Sequence, residues 1–265
     1  MPVSPKISPA AALQPLRWPS RVATAVLYLI MIALLFASLS GFGHRWGWWD
    51  FRTGFQVLRW SVYLAIAGGA LSALMLIFSI IRRHRRESII TGVVTLIALV
   101  VISVPLHWLS LARSVPPIHD ITTDTHDPPL FEAILPLRAD APNSAVYAGE
   151  EIAAQQRSAY PDILPLEVDR SADETFRAAL ETARDMGWEI MAADAGRGHM
   201  EAVATTFWFG FRDDVVVRIG ARGAGTRIDV RSVSRVGRSD AGTNALRIRT
   251  YLERLETRLN RNSGS

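Results

Sequence analysis

Two groups of polar side chains contain residue types that can bind a metal ion or a ligand, or take part in catalysis. In the first group, the nine residues from His119 to Asp127 contain two histidines and three aspartates, and His119, Asp120 and Asp124 are the candidate metal ligands. Carboxylates bind hard cations such as Ca²⁺, and paired histidines suit zinc. The spacing matches neither an EF-hand loop nor a zinc motif, so Asp and Thr side chains that close backbone turns are the competing interpretation. We expect no cofactor, and the segment leaves a divalent cation open.

The second group combines arginines, acids and an amide near the end of the chain. Its members are Arg218, Arg231, Arg235, Asp213, Asp214, Asp240 and Asn244. In a structural interpretation, Asp240 caps a helix and Asp214 pairs with Arg231 across two strands. In a binding interpretation, the arginines hold an anionic ligand with parallel hydrogen bonds, assisted by a helix N-terminus. An anionic headgroup or envelope polymer is then the expected ligand.

Catalysis has less support in these residues. The chain has no cysteine, which excludes thiol nucleophiles, thiolate metal sites and disulfides. Ser232 and Ser234 fall on the predicted core face, without a Gly-x-Ser-x-Gly turn or a histidine base near in sequence. The catalytic alternative is a metal-assisted hydrolase that uses the first group together with Asp213 and Asp214. Enzymatic activity stays open, and we favour a non-catalytic protein.

An α+β domain must position these side chains. Helices are predicted from Ser171, with a capping box at Glu174, and from Asp240 to Arg261. Alternating or β-branched segments predict strands at 163–169, 188–193, 199–209, 211–220 and 226–234. The fold class is therefore a two-layer domain in which two helices pack on an antiparallel sheet.

The last two strands allow a finer prediction. A turn centred on Arg222-Gly223 sets Asp214 opposite Arg231, because the turn fixes the register. Aliphatic side chains then face the helices, and the arginines lie on the other face. We expect that second face to be open to solvent and to be the candidate binding site.

Three apolar runs without Asp, Glu, Lys or Arg occupy residues 22–43, 60–81 and 88–112. A helix of about 20 residues crosses a hydrocarbon layer of about 30 Å, so each run predicts a transmembrane helix. Aromatic residues between the first two runs predict an interfacial belt. Small residues at 65, 69 and 73 allow close helix packing, either within the chain or in a homo-oligomer.

Charge is divided unevenly along the chain. Residues 1–114 hold 11 Lys and Arg against two acids, whereas residues 115–265 hold 18 against 23. The C-terminal part therefore lacks the basic surface of a nucleic-acid-binding protein. Four arginines lie between the second and third runs, at 82, 83, 85 and 86, and the positive-inside rule makes that loop cytoplasmic. The N-terminus is then cytoplasmic and the C-terminal domain extracytoplasmic.

The predicted organisation has five parts. Residues 113–143 are rich in proline, which favours an extended spacer between the membrane and the domain. The parts are a cytoplasmic N-terminus at 1–20, a transmembrane region at 21–112, the connector at 113–143, an extracytoplasmic α+β domain at 144–261 and a tail at 262–265.

Several short stretches resemble a known family. They are Pro117 to Asp124, Asp127 to Pro129, Asp213 to Val215, Arg231 to Asp240, Gly242, and Asn244 to Ile248. Together they resemble the bacterial and plastid family called domain of unknown function 1499, across about 115–255, and the three spans resemble its membrane-anchored members. The resemblance implies a cell-envelope setting and brings no established reaction. Some members carry an Asn-Cys pair near Asn143-Ser144, which this chain lacks.

The sequence thus predicts an uncharacterised protein of the bacterial inner (plasma) membrane with a periplasmic domain. We expect that domain to act as a binding or scaffolding module for an anionic envelope ligand or an envelope protein partner. The alternative is the periplasmic metal-assisted hydrolase. The expected partners are the lipid bilayer, a second copy of the chain or an envelope protein, and no nucleic acid.

Overall fold

The computed structural model describes residues 18–261, with side chains from residue 21 onward. The predicted tail at 262–265 and nearly all of the predicted cytoplasmic N-terminus at 1–20 lie outside the described residues. The chain forms two compact units. One contains the helix up to Gly41 and Trp49–Pro105, and the other contains Phe42–Trp48 and the chain from Leu106 onward.

Three long helices occupy the first part of the described chain: α1 (Trp18–Arg45), α2 (Phe51–Ile81) and α3 (Arg85–Ser114). Their apolar stretches of 25, 31 and 30 residues are long enough to cross a membrane, which agrees with the three predicted spans. The second helix begins nine residues before its predicted span. The Asp50 side chain caps it there, because its carboxylate accepts hydrogen bonds from the backbone N–H groups of Arg52 and Thr53.

Small residues form the interior of this helical unit. Ala65 and Ala98 are fully buried, and a Cβ added to Gly69 would lie 2.9 Å from the Ala98 Cβ. Large aliphatic side chains face outward, as lipid-facing residues do. The predicted stripe of small residues therefore packs α2 on α3 within one chain.

The second unit is an α+β domain with a six-stranded antiparallel sheet, which confirms the predicted fold class. The sheet order is β1-β6-β5-β4-β3, and β2 also pairs with the outer edge of β6. The strands are β1 (Asp120–Thr122), β2 (Leu166–Val168), β3 (Glu189–Asp194), β4 (His199–Thr205), β5 (Arg212–Arg222) and β6 (Gly225–Ser234). The helices are α4 (Glu150–Ala159), α5 (Ala172–Asp185) and α6 (Thr243–Arg261), with a 3₁₀ helix at Leu135–Arg138.

Helices α5 and α6 cover one face of the sheet and form the main core. Trp188 stacks on Tyr251 with ring centroids 4.8 Å apart, and the Tyr251 hydroxyl donates to the Ala179 carbonyl oxygen at 3.1 Å. Ser171 caps α5 as predicted, since its hydroxyl accepts the Glu174 N–H. The core residues from the strands are those that the alternation predicted.

The predicted register of β5 and β6 is wrong by two residues. The connecting loop is Gly223-Ala224, so Arg222 pairs with Gly225 and Val216 pairs with Arg231. Gly223 adopts φ +60°, which fits the first position of a two-residue hairpin turn. A shift of two preserves the alternation of side chains, and the prediction of which residues share a face is therefore correct.

The connector differs most from its prediction. We call residues 115–148 the strap, because this segment lies across the face of the sheet opposite α5 and α6. Strand β1 belongs to it, and Phe131 and Ile134 pack against valines of that face. The predicted boundary at 144 therefore divides a folded domain, and the arginine-bearing face is covered rather than open.

Helix α4 was missing from the sequence prediction because it has few apolar residues to reveal a period. Its buried Gln156 completes the sheet edge at β1. The Gln156 side chain accepts the Thr122 N–H at 3.0 Å and donates to the Thr122 carbonyl oxygen at 2.6 Å. A polar side chain thereby replaces the strand that the edge lacks.

Candidate functional site

Arg231 is the central residue of the candidate site and is fully buried on β6. Its Nε and Nη2 donate to the two carboxylate oxygens of Asp120 at 2.9 and 2.7 Å. Its Nη1 donates to the Pro129 carbonyl oxygen at 3.2 Å, and Nη2 also donates to the Ala145 carbonyl oxygen at 2.8 Å. One guanidinium group therefore bonds to three separate points of the strap, and all three of its nitrogens are engaged.

Two aromatic rings of the strap complete the surroundings of this guanidinium. The Arg231 Cζ lies 5.2 Å from the centroid of Phe131 and 5.4 Å from that of Tyr147, within cation–π range. Burial raises the pKa of Tyr147 to about 12, so its hydroxyl stays neutral. The site is a closed interior contact between strap and sheet.

Asp214 holds a second pair of arginines on the same face. Arg235 donates from Nε and Nη2 to Asp214 at 3.0 and 2.7 Å, and the Arg138 Nη1 lies 3.0 Å from the other carboxylate oxygen. The same arginines bond to strap carbonyls, Arg235 to Leu137 at 3.0 Å and Arg138 to Asn143 at 2.9 Å. Burial lowers the pKa of Arg138 and the Asp214 charge opposes that effect.

The predicted Asp214–Arg231 pair is therefore wrong. The shifted register moves these residues apart along the strands and gives each a partner from the strap. The charged residues bond within the folded domain, both between sheet and strap, as in Arg231–Asp120, and between neighbouring strands, as in Arg218–Asp229.

Arg218 and Arg227 form a third ion-pair group at the other end of the strap. Arg218 donates to the Asp127 carboxylate at 2.8 Å and to Asp229 at 3.2 Å. Arg227 bonds to Asp124 at 2.6 Å and also to Asp229. This group is partly exposed, so removal of one member should cost less than removal of one member of a buried pair.

Glu201 is a buried acidic residue that the sequence analysis did not select as a candidate. Its fully buried carboxylate accepts the backbone N–H groups of Glu132, Ala133 and Ile134 at 2.7 to 2.9 Å. The His199 Nε2 lies 2.9 Å from the same carboxylate. Burial opposes ionisation of Glu201, but the histidine and the three N–H groups outweigh it, so the net effect lowers its pKa. The only signal in the sequence was a carboxylate among apolar residues within a strand.

Asp213 faces the helices, where a separate polar cluster closes the end of the core. The Arg247 Nη2 donates to Asp213 at 2.5 Å, and Arg247 also bonds to Asn244. The Asn244 side chain accepts the Ser232 hydroxyl at 2.7 Å and lies 2.9 Å from the Ser234 hydroxyl. Both serines are thus buried hydrogen-bonding residues. Arg247 was not singled out from the sequence.

The positions of Asp213 and Asp214 remove the pairing on which the hydrolase alternative depended. Consecutive strand residues point to opposite faces of a sheet. Asp213 accordingly contacts α6, whereas Asp214 contacts the strap. The two carboxylates do not converge on one site.

Asp240 caps α6, as the structural interpretation predicted. Its carboxylate oxygens accept the N–H groups of Gly242 at 2.8 Å and Asn244 at 2.7 Å. Burial raises the pKa of Asp240, against the effect of these two N–H groups. The helix begins at Thr243, three residues later than predicted, because Ala241 and Gly242 adopt positive φ and therefore cannot be part of a right-handed helix.

The three residues of the first polar group have separate partners. The His119 Nδ1 lies 3.5 Å from the Arg238 carbonyl oxygen, and Asp120 belongs to Arg231. Asp124 accepts the N–H groups two and three residues later at 3.0 Å, the turn that competed with a metal site. Within residues 18–261, no group of three or more His, Asp or Glu side chains is placed to hold a metal ion.

Arg218, Arg231, Arg235 and Asp214 hold an irregular segment of the chain onto the sheet, whereas Asp213 and Asp240 bond to α6 and its first turn. The segment from His119 to Asp127 packs against Arg231 through the Asp120–Arg231 contact. Fold and site define a class: a protein with three helices able to span a bilayer and an α+β domain whose buried ion pairs attach a long strap.

The chain belongs to the family described as protein of unknown function DUF1499, whose family model matches residues 120–255. This finding confirms the resemblance inferred from the short sequence blocks. The match begins at the first residue of β1, so it includes the strap from residue 120 to residue 148. A comparison with curated proteins finds no match for the chain.

Proposed function

We propose that this protein is a membrane-anchored scaffolding module whose α+β domain binds an envelope protein through the outer surface of the strap. The observation that supports this proposal most directly is that all three guanidinium nitrogens of Arg231 donate to the strap, at Asp120, Pro129 and Ala145. Because each guanidinium nitrogen already donates a hydrogen bond within the domain, a structural role of Arg231 is favoured over the binding of an anionic ligand at this position. The strap then becomes a rigid surface rather than a spacer.

The outer surface of the strap has the chemistry of a protein contact. Leu130 and Val146 are 69% and 79% exposed, and Leu135 and Leu137 are exposed as well. Two side chains fix the backbone around Leu135 and Leu137. Arg235 donates to the Leu137 carbonyl oxygen, and the Glu201 carboxylate accepts the N–H of Ile134, the residue before Leu135. Aliphatic side chains on a preorganised backbone lose little conformational entropy on binding, so they suit a protein partner.

For location, we propose the bacterial inner membrane with the domain on the periplasmic side. The support is the short loop between α2 and α3, where arginines at 82, 83, 85 and 86 oppose transfer across the bilayer. Alkaline phosphatase and green fluorescent protein fused after residue 261 would report the side. We expect an active phosphatase and a dark fluorescent protein; the reverse pattern would place the domain in the cytoplasm.

Site-specific photo-crosslinking in living cells tests the strap surface. A photoreactive amino acid replaces Leu137 or Val146 on the strap, and Leu246 on α6 serves as the exposed control on the other side of the sheet. We expect a discrete protein adduct from both strap positions and none from the control. Leu135→Ser should reduce the adduct while leaving the melting temperature unchanged. Equal adducts at all three positions, or none at the strap, would contradict the proposal.

A further inference from the structure

The loop between β4 and β5 carries an aromatic cluster that the proposed scaffolding role does not use. It runs through residues 206–211 with the sequence Thr-Phe-Trp-Phe-Gly-Phe. Phe209 stacks on Phe211 with ring centroids 5.2 Å apart, and Trp208 meets the edge of Phe209 at 5.0 Å. Phe207 at the tip is 78% exposed.

This loop contacts the last turn of α1, which belongs to the same compact unit. The Arg45 Nη1 donates to the carbonyl oxygens of Thr206 at 2.9 Å and Phe207 at 2.7 Å. The Phe42 ring meets the Phe207 ring edge-on, with centroids 5.6 Å apart. The Arg45 guanidinium thus supplies the hydrogen bonds that these two carbonyl oxygens need, and it thereby holds the loop against the end of α1.

The end of α1 is also the end of a candidate membrane span. That stretch, Arg21–Arg45, has 25 residues, and at about 1.5 Å per residue it measures roughly 37 Å, more than the ~30 Å hydrocarbon layer. Its last turn therefore reaches the headgroup level. Trp46 follows directly, is 57% exposed and stacks on Phe42 at 5.5 Å. Tryptophan and other aromatic rings are favoured at that level because they are apolar with a polar edge.

We propose that the tip of the β4–β5 loop, Phe207 with Trp208, inserts into the headgroup region of the bilayer beside Trp46. The domain then touches the membrane at a point more than 160 residues along the chain from α1, in addition to its covalent connection through α3. The ligand is the lipid surface itself. This inference does not depend on which protein the strap binds or on which side of the membrane the domain lies.

The absence of cysteine makes a single-label test straightforward. Phe207→Cys carries a fluorescent label at the tip, and Ala224→Cys carries the same label at the opposite end of β5. Strand β5 has 11 residues, so at about 3.3 Å per residue the two labels are roughly 35 Å apart. The full-length variants are reconstituted in vesicles of phosphatidylcholine and phosphatidylglycerol with nitroxide-labelled lipid. Quenching by nitroxide lipid is compared with quenching by aqueous iodide.

We expect the label at 207 to be quenched by nitroxide near the headgroup and to be several-fold less accessible to iodide than the label at 224. Arg45→Gln should reduce the lipid quenching at 207, because the loop loses both hydrogen bonds. Thr205→Cys, on the exposed end of β4, repeats the measurement if the label disturbs the tip. The proposal would be overturned if iodide quenched the label at 207 as strongly as the label at 224. It would also be overturned if neither quencher reached the label at 207, a result that would indicate a protein contact instead.

Discussion

Replacement of Arg231 by methionine tests the claim that buried ion pairs attach the strap. Methionine retains much of the side-chain volume and removes all donors, so the Asp120 carboxylate and two carbonyl oxygens lose their partner in the interior. Breaking a buried pair by removing one member costs about 3–5 kcal/mol. In a domain of roughly 150 residues each kcal/mol lowers Tm by about 2–4 °C, so Tm should fall by roughly 6–20 °C.

Near-ultraviolet circular dichroism of the full chain in detergent micelles provides the assay. The stacked Trp188 and Tyr251 rings lie in the core of the domain, so their contribution to that signal is lost when the domain unfolds. Arg222→Met is the matched control on the same hairpin. Its pair with Glu167 is exposed on both sides, and such pairs contribute about 0–1 kcal/mol. Limited proteolysis of the strap should accelerate in the Arg231 variant and not in the control.

The double variant Arg231→Met with Asp120→Leu separates a missing pair from general damage. Removal of both charges avoids a lone buried carboxylate, so the double variant should lose less stability than the two single variants together. The reasoning would be refuted if Arg231→Met melted within about 1 °C of the unchanged chain. Strictly additive losses in the double variant would also refute it, because they would show that the two residues do not interact.

Three further predictions concern other parts of the structure. Folding lowers the pKa values of Glu201 and Asp124. The stabilisation that follows is present above the ordinary pKa values of 4.5 and 3.8, and it is lost as the pH falls through the lower pKa values of the folded state. Tm measured against pH should therefore fall on the acid side, and it should fall less steeply in Glu201→Gln. Asp240→Ala should cost about 0.5–2 kcal/mol in denaturant unfolding, as loss of a helix cap does, and no loss would mean that α6 needs no cap. Gly69→Leu should force α2 from Ala98 and lower the yield of folded protein in size-exclusion chromatography, whereas substitution at the outward-facing Leu74 should not.

The sequence was sufficient for features that depend on local order. The three spans follow from uninterrupted apolar runs, and the caps at Ser171 and Asp240 follow from side chains that satisfy nearby N–H groups. The faces of β5 and β6 follow from alternation, which a register shift of two residues leaves intact. Each of these signals is complete within about twenty residues of chain.

Only the tertiary structure decided what the candidate site is. Arg231 meets Asp120 across 111 residues, and Glu201 meets the Ile134 N–H across 67. Outside β1 the strap has no periodicity of its own, since side chains of the sheet, such as Arg231 and Glu201, bond to its C=O and N–H groups in place of a regular ladder. A segment that takes its order from distant side chains looks like a spacer when it is considered alone, and the arginines beneath it look like a free binding surface.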